Sequence, residues 1–215
     1  MHHQDEKLRG LTLDEFSSRL SSGSPPPGGG SAAAYAACMA SSLVSMVAKI
    51  VLSKEKMEDR TAKLKAISKK SEELRVLFAG LVEDDAIAFE PVAAAYRLPK
   101  ETGEEKRARS TAVQVALRGA CQTSIRTVEA SVELLSLAQQ ISGFGGSSII
   151  CDVETAIHLG YCALQSAFAN ASSNIRAIKD AEFVQSQLEK LQKTVRKGSD
   201  CHEKTLVDVR VRTGT

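Results

Sequence analysis

Ser24-Pro25-Pro26-Pro27-Gly28-Gly29-Gly30-Ser31, with the uncharged run from Ala32 to Ala48 behind it, decides how the rest of the chain is read. Three prolines stiffen the approach and cannot continue a helix. Three glycines follow and open backbone dihedrals closed to other residues. Ser31 then reads as the N-cap of an alanine-rich helix. The product is a bare loop at a helix N-terminus. Its free N–H groups and positive dipole end suit an anion or a polar ring. A linker or a close-packing turn is the plainer reading of a glycine cluster. Against that stands the helix it opens, so poor in charge that it must be buried.

Composition agrees with a helical core. The chain has 215 residues, 43% of them hydrophobic, but only 4% aromatic and no Trp. A core of Ala, Val, Leu and Ile suits close helix packing better than a β-sandwich. Basic and acidic residues number 28 and 26, a net charge of +2. That balance predicts no strong pull toward nucleic acid or an anionic membrane, so an anionic ligand must be caught locally. Cys38, Cys121, Cys151, Cys162 and Cys201 are scattered, with no CxxC among them. They read as free thiols of a reducing cytoplasm. The N-terminus lacks the apolar segment of a signal peptide. Ala32 to Leu52 is apolar enough to ask whether it spans a membrane, but it is rich in Ala and Ser and broken by Lys49. It reads as the central helix of a bundle.

In chain order, residues 1–10 read as a mobile tail and 11–215 as one domain. Thr12 and Glu15 match a capping box for a short helix carrying Leu13, Phe16 and Leu20. The proline-glycine loop and the central helix, to about Lys54, come next. A third helix runs from Met57 to about Tyr96, its Leu64, Ile67, Leu74, Phe78, Leu81, Phe89 and Val92 spaced by threes and fours. Pro91 interrupts it and predicts a kink. Thr102 and Glu105 make a second capping box, for a helix to about Ser142. Gly143 to Ser148 is a break. A fifth helix spans about Ile149 to Ile178, and a sixth begins near Ala181. Residues 206–215 fit either a continued helix or a short β-type tail. The expected fold is all-α: about six helices, several long, in a single antiparallel bundle.

Charges on apolar stripes carry the functional signal. Asp85 falls in series with Leu74, Phe78, Leu81, Phe89 and Val92, whereas Glu83 and Asp84 sit off that stripe and read as solvated. A carboxylate facing a core is costly unless paired or used, so a capping or salt-bridge role and a catalytic one are both open to Asp85. Asp152 and Asn170 are 18 residues apart on the fifth helix, five full turns. Asn174 lies one turn further. Ala156, Gly160, Ala163 and Ala167 share that face, so it is small in the middle and polar at its ends. Arg97 and Lys100 flank Leu98-Pro99 at the third helix's exit. No metal-ligand spacing and no Ser-His-Asp order is evident, and His158 reads as structural.

These residues together resemble a known family. The string Ser24 to Ser31 with its Ala-rich helix, Val82-Glu83-Asp84-Asp85-Ala86 with Phe89, Arg97-Leu98-Pro99-Lys100, and Asp152 followed by Asn170 and Asn174 are similar to the cyclodeaminase domain of formiminotransferase-cyclodeaminase. That domain has free-standing relatives known as formiminotetrahydrofolate cyclodeaminases or methenyltetrahydrofolate cyclohydrolases. The match covers nearly the whole chain in order. It implies an all-helical fold, a homodimer and a folate-binding cleft. It departs from the family at Gly145-Gly146-Ser147, where an asparagine is usual before Asp152. It departs again at Val92, where the mammalian enzyme has a cysteine.

The resemblance implies cyclodeamination of 5-formiminotetrahydrofolate to 5,10-methenyltetrahydrofolate, with hydrolysis of the methenyl compound as the alternative. A folate-binding dimer without turnover is a second alternative. Asp85 is then the expected acid–base group, with Asp152 in reserve. Pro27, Gly28, Gly29, Gly30 and Ser31 would let the ring approach the backbone. Asn170 and Asn174 would bind the pterin edge, and Arg97 and Lys100 the glutamate tail. No metal is expected, and no cofactor beyond the tetrahydrofolate substrate.

Overall fold

The computed structural model describes residues 7–144 and 149–213. Among them are six α-helices: α1 (Leu13–Ser21), α2 (Gly29–Leu52), α3 (Glu58–Arg97), α4 (Gly103–Ser142), α5 (Ile150–Arg176) and α6 (Ala181–Thr213). No strand occurs among the described residues. The all-α bundle read from the sequence is the fold.

Both capping boxes form. Thr12 accepts from the Glu15 N–H at α1, and Thr102 from that of Glu105 at α4, each glutamate reaching back to its cap. Asp180 caps α6 by accepting the Phe183 N–H at 3.0 Å. α4 ends at Ser142, where the break was read, and the Gly145 to Ser148 portion of that break lies outside the described residues.

Helix α2 is the axis of the bundle. Ala34, Ala37, Ala40, Val44, Val47 and Ala48 are fully buried, and α2 packs on α3, α4 and α5. Small side chains let the axes approach closely, so dispersion contacts replace the missing aromatics. The small face of α5 works the same way: a Cβ on Gly160 would come within 3.3 Å of Leu135 Cδ2. α6 closes the bundle against α4 and α5. A smaller core of Val92, Ala95, Val113, Leu117 and Ile178 joins the end of α3 to the start of α4 and the α5–α6 junction.

The structure corrects the sequence reading at the N-terminus and at Glu83 and Asp84, and makes it definite at Pro91 and at residues 206–213. Leu8–Gly10, assigned to a tail, is a 3₁₀ turn. The Arg9 N–H donates to Glu83 Oε1 at 2.7 Å and Leu8 packs on the core, so this part of the chain has partners. Glu83 is thus engaged rather than merely solvated, and Asp84 pairs with Arg126 at 3.1 Å. α3 stays helical through Pro91, which forfeits one donor without ending the helix. Residues 206–213 continue α6, because Thr205, Leu206 and Val209 bury one helical face.

Candidate functional site

The site is built where α3 crosses the start of α2. Gly28, not Ser31, is the N-cap of α2; it is extended (φ −138°, ψ −159°) and offers no side chain to cap the helix. Gly29, Gly30 and Ser31 form the first turn, whose N–H groups have no partner within the helix. Asp85 supplies the acceptor from α3. Its Oδ2 lies 3.0 Å from Ser31 Oγ, which is also 3.1 Å from the Val82 carbonyl. The Ser31 backbone N–H donates to the same carboxylate.

The glycines serve space, not unusual dihedrals. Among the described glycines only Gly23 has positive φ, 75°. A Cβ on Gly30 would stand 1.9 Å from Asp85 Oδ1. The carboxylate therefore lies on the bare Cα of Gly30, and any side chain there would displace it. On the far flank, a Cβ on Gly29 would sit 3.4 Å from Asn170 Nδ2. Asp85 and Asn170 thus hold the two sides of one glycine turn.

Burial pushes the Asp85 carboxyl above its usual range, and the Ser31 hydroxyl and N–H offset part of that. No lysine or arginine among the described residues contributes. The group is half-buried, close to a helix N-terminus and without a counter-cation. A carboxyl raised by burial, beside a cleft and free of a counter-cation, is suited to exchange a proton with a ligand.

The cleft above it has a volume of about 240 Å³. Pro25, Pro26 and the three glycines form one wall, and Ala88, Phe89 and Val92 of α3 a second. Ala120 and Ser124 of α4, with Asn170 and Asn174 of α5, complete it. Asn170 Nδ2 donates to the Ser166 carbonyl at 2.8 Å, which leaves Oδ1 to face a ligand. One turn beyond Val92 and Asn174 opens a second depression of about 380 Å³. Tyr96, Lys100, Lys106, Arg109 and Lys179 line it, and no acidic side chain does. Arg109 is aimed by two hydrogen bonds to the Tyr96 carbonyl, and Lys179 Nζ by one to Ser110 at 2.7 Å.

The structure brings together Asp85, Gly28, Gly29, Gly30, Ser31, Asn170 and Asn174, and sets Lys100 in the adjoining depression. Pro27 is buried behind the wall that Pro25 and Pro26 face. Arg97 ends α3 on the surface and lines neither hollow. Asp152 stands in the first turn of α5, about 27 Å along that helix from Asn170. Within one chain it does not reach the cleft. Ser124 is a cleft residue that the sequence reading missed; a buried serine among the apolar positions of α4 was its only signal. Lys106, Arg109 and Lys179 gave none, because they come from separate elements and each looks solvated alone.

A profile of the family described as Formiminotransferase-cyclodeaminase matches residues 12–193. This chain belongs to that family. It is 34% identical over 181 residues to the methenyltetrahydrofolate cyclohydrolase of Methylorubrum extorquens, a match covering 84% of this chain and 87% of that one. Family members named formimidoyltransferase-cyclodeaminase are more distant. The Sus scrofa protein is 26% identical over 147 residues, 68% of this chain but only 27% of that protein. The chain thus spans about a quarter to a third of the mammalian relatives. In three dimensions the fold matches the formiminotetrahydrofolate cyclodeaminase of Thermotoga maritima with a TM-score of 0.82 at 26% identity, covering 93% of this chain and 96% of that one.

Proposed function

We propose that this chain is an enzyme of folate one-carbon metabolism that closes 5-formiminotetrahydrofolate to 5,10-methenyltetrahydrofolate and releases ammonia. The observation that carries the reading is the Asp85 carboxyl, raised by burial and set on the Gly30 Cα in a cleft of ring-sized volume. N10 attacks the formimino carbon and a C–N10 bond forms. Asp85 takes the proton that N10 sheds. The formimino group enters protonated, as a formamidinium, so attack leaves its nitrogen as NH2. Asp85 returns the N10 proton to that nitrogen, the C–N bond breaks, and ammonia leaves. The methenyl product is cationic, and the ionised Asp85 is its countercharge. Asn170 and Asn174 hydrogen-bond the pterin edge. Lys100, Lys106, Arg109 and Lys179 receive the carboxylates of the glutamate tail, which the small cleft has no room to hold. The scheme needs no cofactor beyond the substrate. Five free cysteines support a cytoplasmic setting.

The 34% identity to a cyclohydrolase favours a second reading, in which water attacks the methenyl carbon and Asp85 takes its proton. Near-ultraviolet absorbance of the methenyl compound separates the two. A rise from formiminotetrahydrofolate supports the deaminase; decay of the methenyl compound beyond the buffer rate supports the hydrolase. Silence in both assays leaves a binding protein without turnover and overturns the proposal.

A further inference from the structure

Ser124 of α4 carries a buried hydroxyl without a partner. The residue is 4% exposed and lines the cleft beside Ala120. Serine and threonine inside a helix commonly donate to the carbonyl four residues back. Thr111, Thr127 and Ser131 of the same helix do so, at 3.1, 3.1 and 2.7 Å. Ser124 does not, and its Oγ bonds to no other described group. Nor is that oxygen sealed inside the bundle, as Ser172 Oγ and His202 Nε2 are. It opens into the cleft. Buried polar groups are paired in folded proteins, so one left open toward a hollow points to a ligand.

The height of Ser124 in the bundle is fixed from both sides. α3 and α4 are antiparallel: Asp84 pairs with Arg126 at 3.1 Å, and Val92 shares a core with Leu117. Ser124 therefore stands level with Asp85, within about one turn. α4 and α5 are antiparallel as well. Gln114 Nε2 donates to the Ala177 carbonyl at 3.1 Å, and further along a Cβ on Gly160 would meet Leu134 and Leu135. Counting inward from either tie sets Ser124 within about one turn of Asn170. Asp85, the Gly29–Gly30 turn, Asn170 and Ser124 thus ring one level of the cleft, each from a different helix. At about 240 Å³ the cleft is smaller than pockets for drug-sized ligands, about 300–1,000 Å³. Groups on its facing walls meet the same few ligand atoms.

We infer that Ser124 Oγ holds the group exchanged at the one-carbon unit, the nitrogen that departs as ammonia. This rests on the proposed reaction, and it carries over to the hydrolytic form, where water arrives at the same position. The formamidinium nitrogen has two N–H groups, and the NH2 left by attack keeps both. Asp85 works from the α3 side and the α2 turn. Ser124 accepts one N–H from the α4 side, where Ala120, Phe89 and Val92 offer no side-chain acceptor. That bond turns the nitrogen's lone pair toward Asp85, which delivers the proton there. No proton passes through Ser124, so its task is positioning.

Ser124→Ala tests this in the absorbance assay, with Ser131→Ala as the control. In Ser124→Ala, kcat should fall about 10–100-fold, the range for one hydrogen bond to a charged group. KM should stay within about twofold, because contacts to the ring and tail are untouched. Ser124 makes no bond within the chain and alanine is the better helix former, so Tm should not fall. Ser131→Ala loses a bond to the Thr127 carbonyl outside the cleft and should keep its kcat. An unchanged kcat in Ser124→Ala, a loss confined to KM, or a loss matched by a lower Tm overturns the assignment and leaves the reaction standing. A wild type silent on both folates brings down the reaction and the role of Ser124 together.

Discussion

Glu72 and Asp85 sit on the same helix, face the same neighbour and each approach a serine of α2, but they are opposite in chemistry. Glu72 Oε1 accepts from Ser45 Oγ at 2.8 Å and Lys49 Nζ at 2.7 Å, and its Oε2 takes Arg75 Nε at 2.8 Å. Lys49, then Arg75, then Ser45 pull it down to about 2. Asp85 has the serine and no cation, and burial drives it up. A carboxylate with two counter-cations is fixed in its charge and ties helices together. One with only a hydroxyl and an N–H, beside a cleft, is left able to exchange a proton.

The comparison breaks first on turnover. Asp85→Asn should lower kcat by about 10²–10⁴-fold, while Glu72→Gln stays within about twofold of wild type in the same absorbance assay. Similar losses in both would make Asp85 another structural carboxylate. Gly30→Ala should cost about 10²-fold with helicity retained, because its Cβ takes the place of Asp85 Oδ1. Gly28→Ala should cost far less, since nothing lies within 4 Å of a Cβ there. Smaller again is the tail site: Lys106→Ala and Lys179→Ala should raise KM about 3–10-fold with kcat unchanged, the mark of lost uniform binding.

The smallest effects are in stability, and they have opposite signs. Glu72 is lowered in the fold, so its contribution is present above the unfolded value of 4.5 and is lost as pH falls toward 2. Its side chain is 37% exposed, so that contribution is about 1 kcal/mol or less. Glu72→Gln should lower Tm at neutral pH, and the deficit should vanish in acid. Asp85 is raised, so its ionisation penalises the fold as pH rises through the folded value; below the unfolded 3.8 no penalty remains. Asp85→Asn should raise Tm at pH 7.5 by about 2–4 °C per kcal/mol of penalty removed. A pH series of melting curves for both variants checks the crossing. A lowered Tm for Asp85→Asn would make capping of α2 its main task.

Much of this was legible before any coordinates. Threes and fours along α3 put Asp85 on the core side, and both capping boxes marked their helix starts. The proline-glycine loop announced a bare helix end, but not why it is bare. Gly30 is required by a carboxylate that arrives from 55 residues away, and local rules see only dihedrals. The same blindness assigned the cap of α2 to Ser31, when Gly28 begins the helix and Asp85 is the acceptor. Arg97 looked as good an anion site as Lys100, because loop position says nothing of which side of a bundle a base joins.

The sequence by itself determined the class: an all-α bundle, its breaks, and a buried carboxylate facing inward. Periodicity and capping are local, and they act within a few residues of the groups they order. Which charges meet was decided only by tertiary packing. Two carboxylates on one helix differ because cations surround one and an apolar wall the other, and electrostatic energy depends on distance through space rather than along the chain.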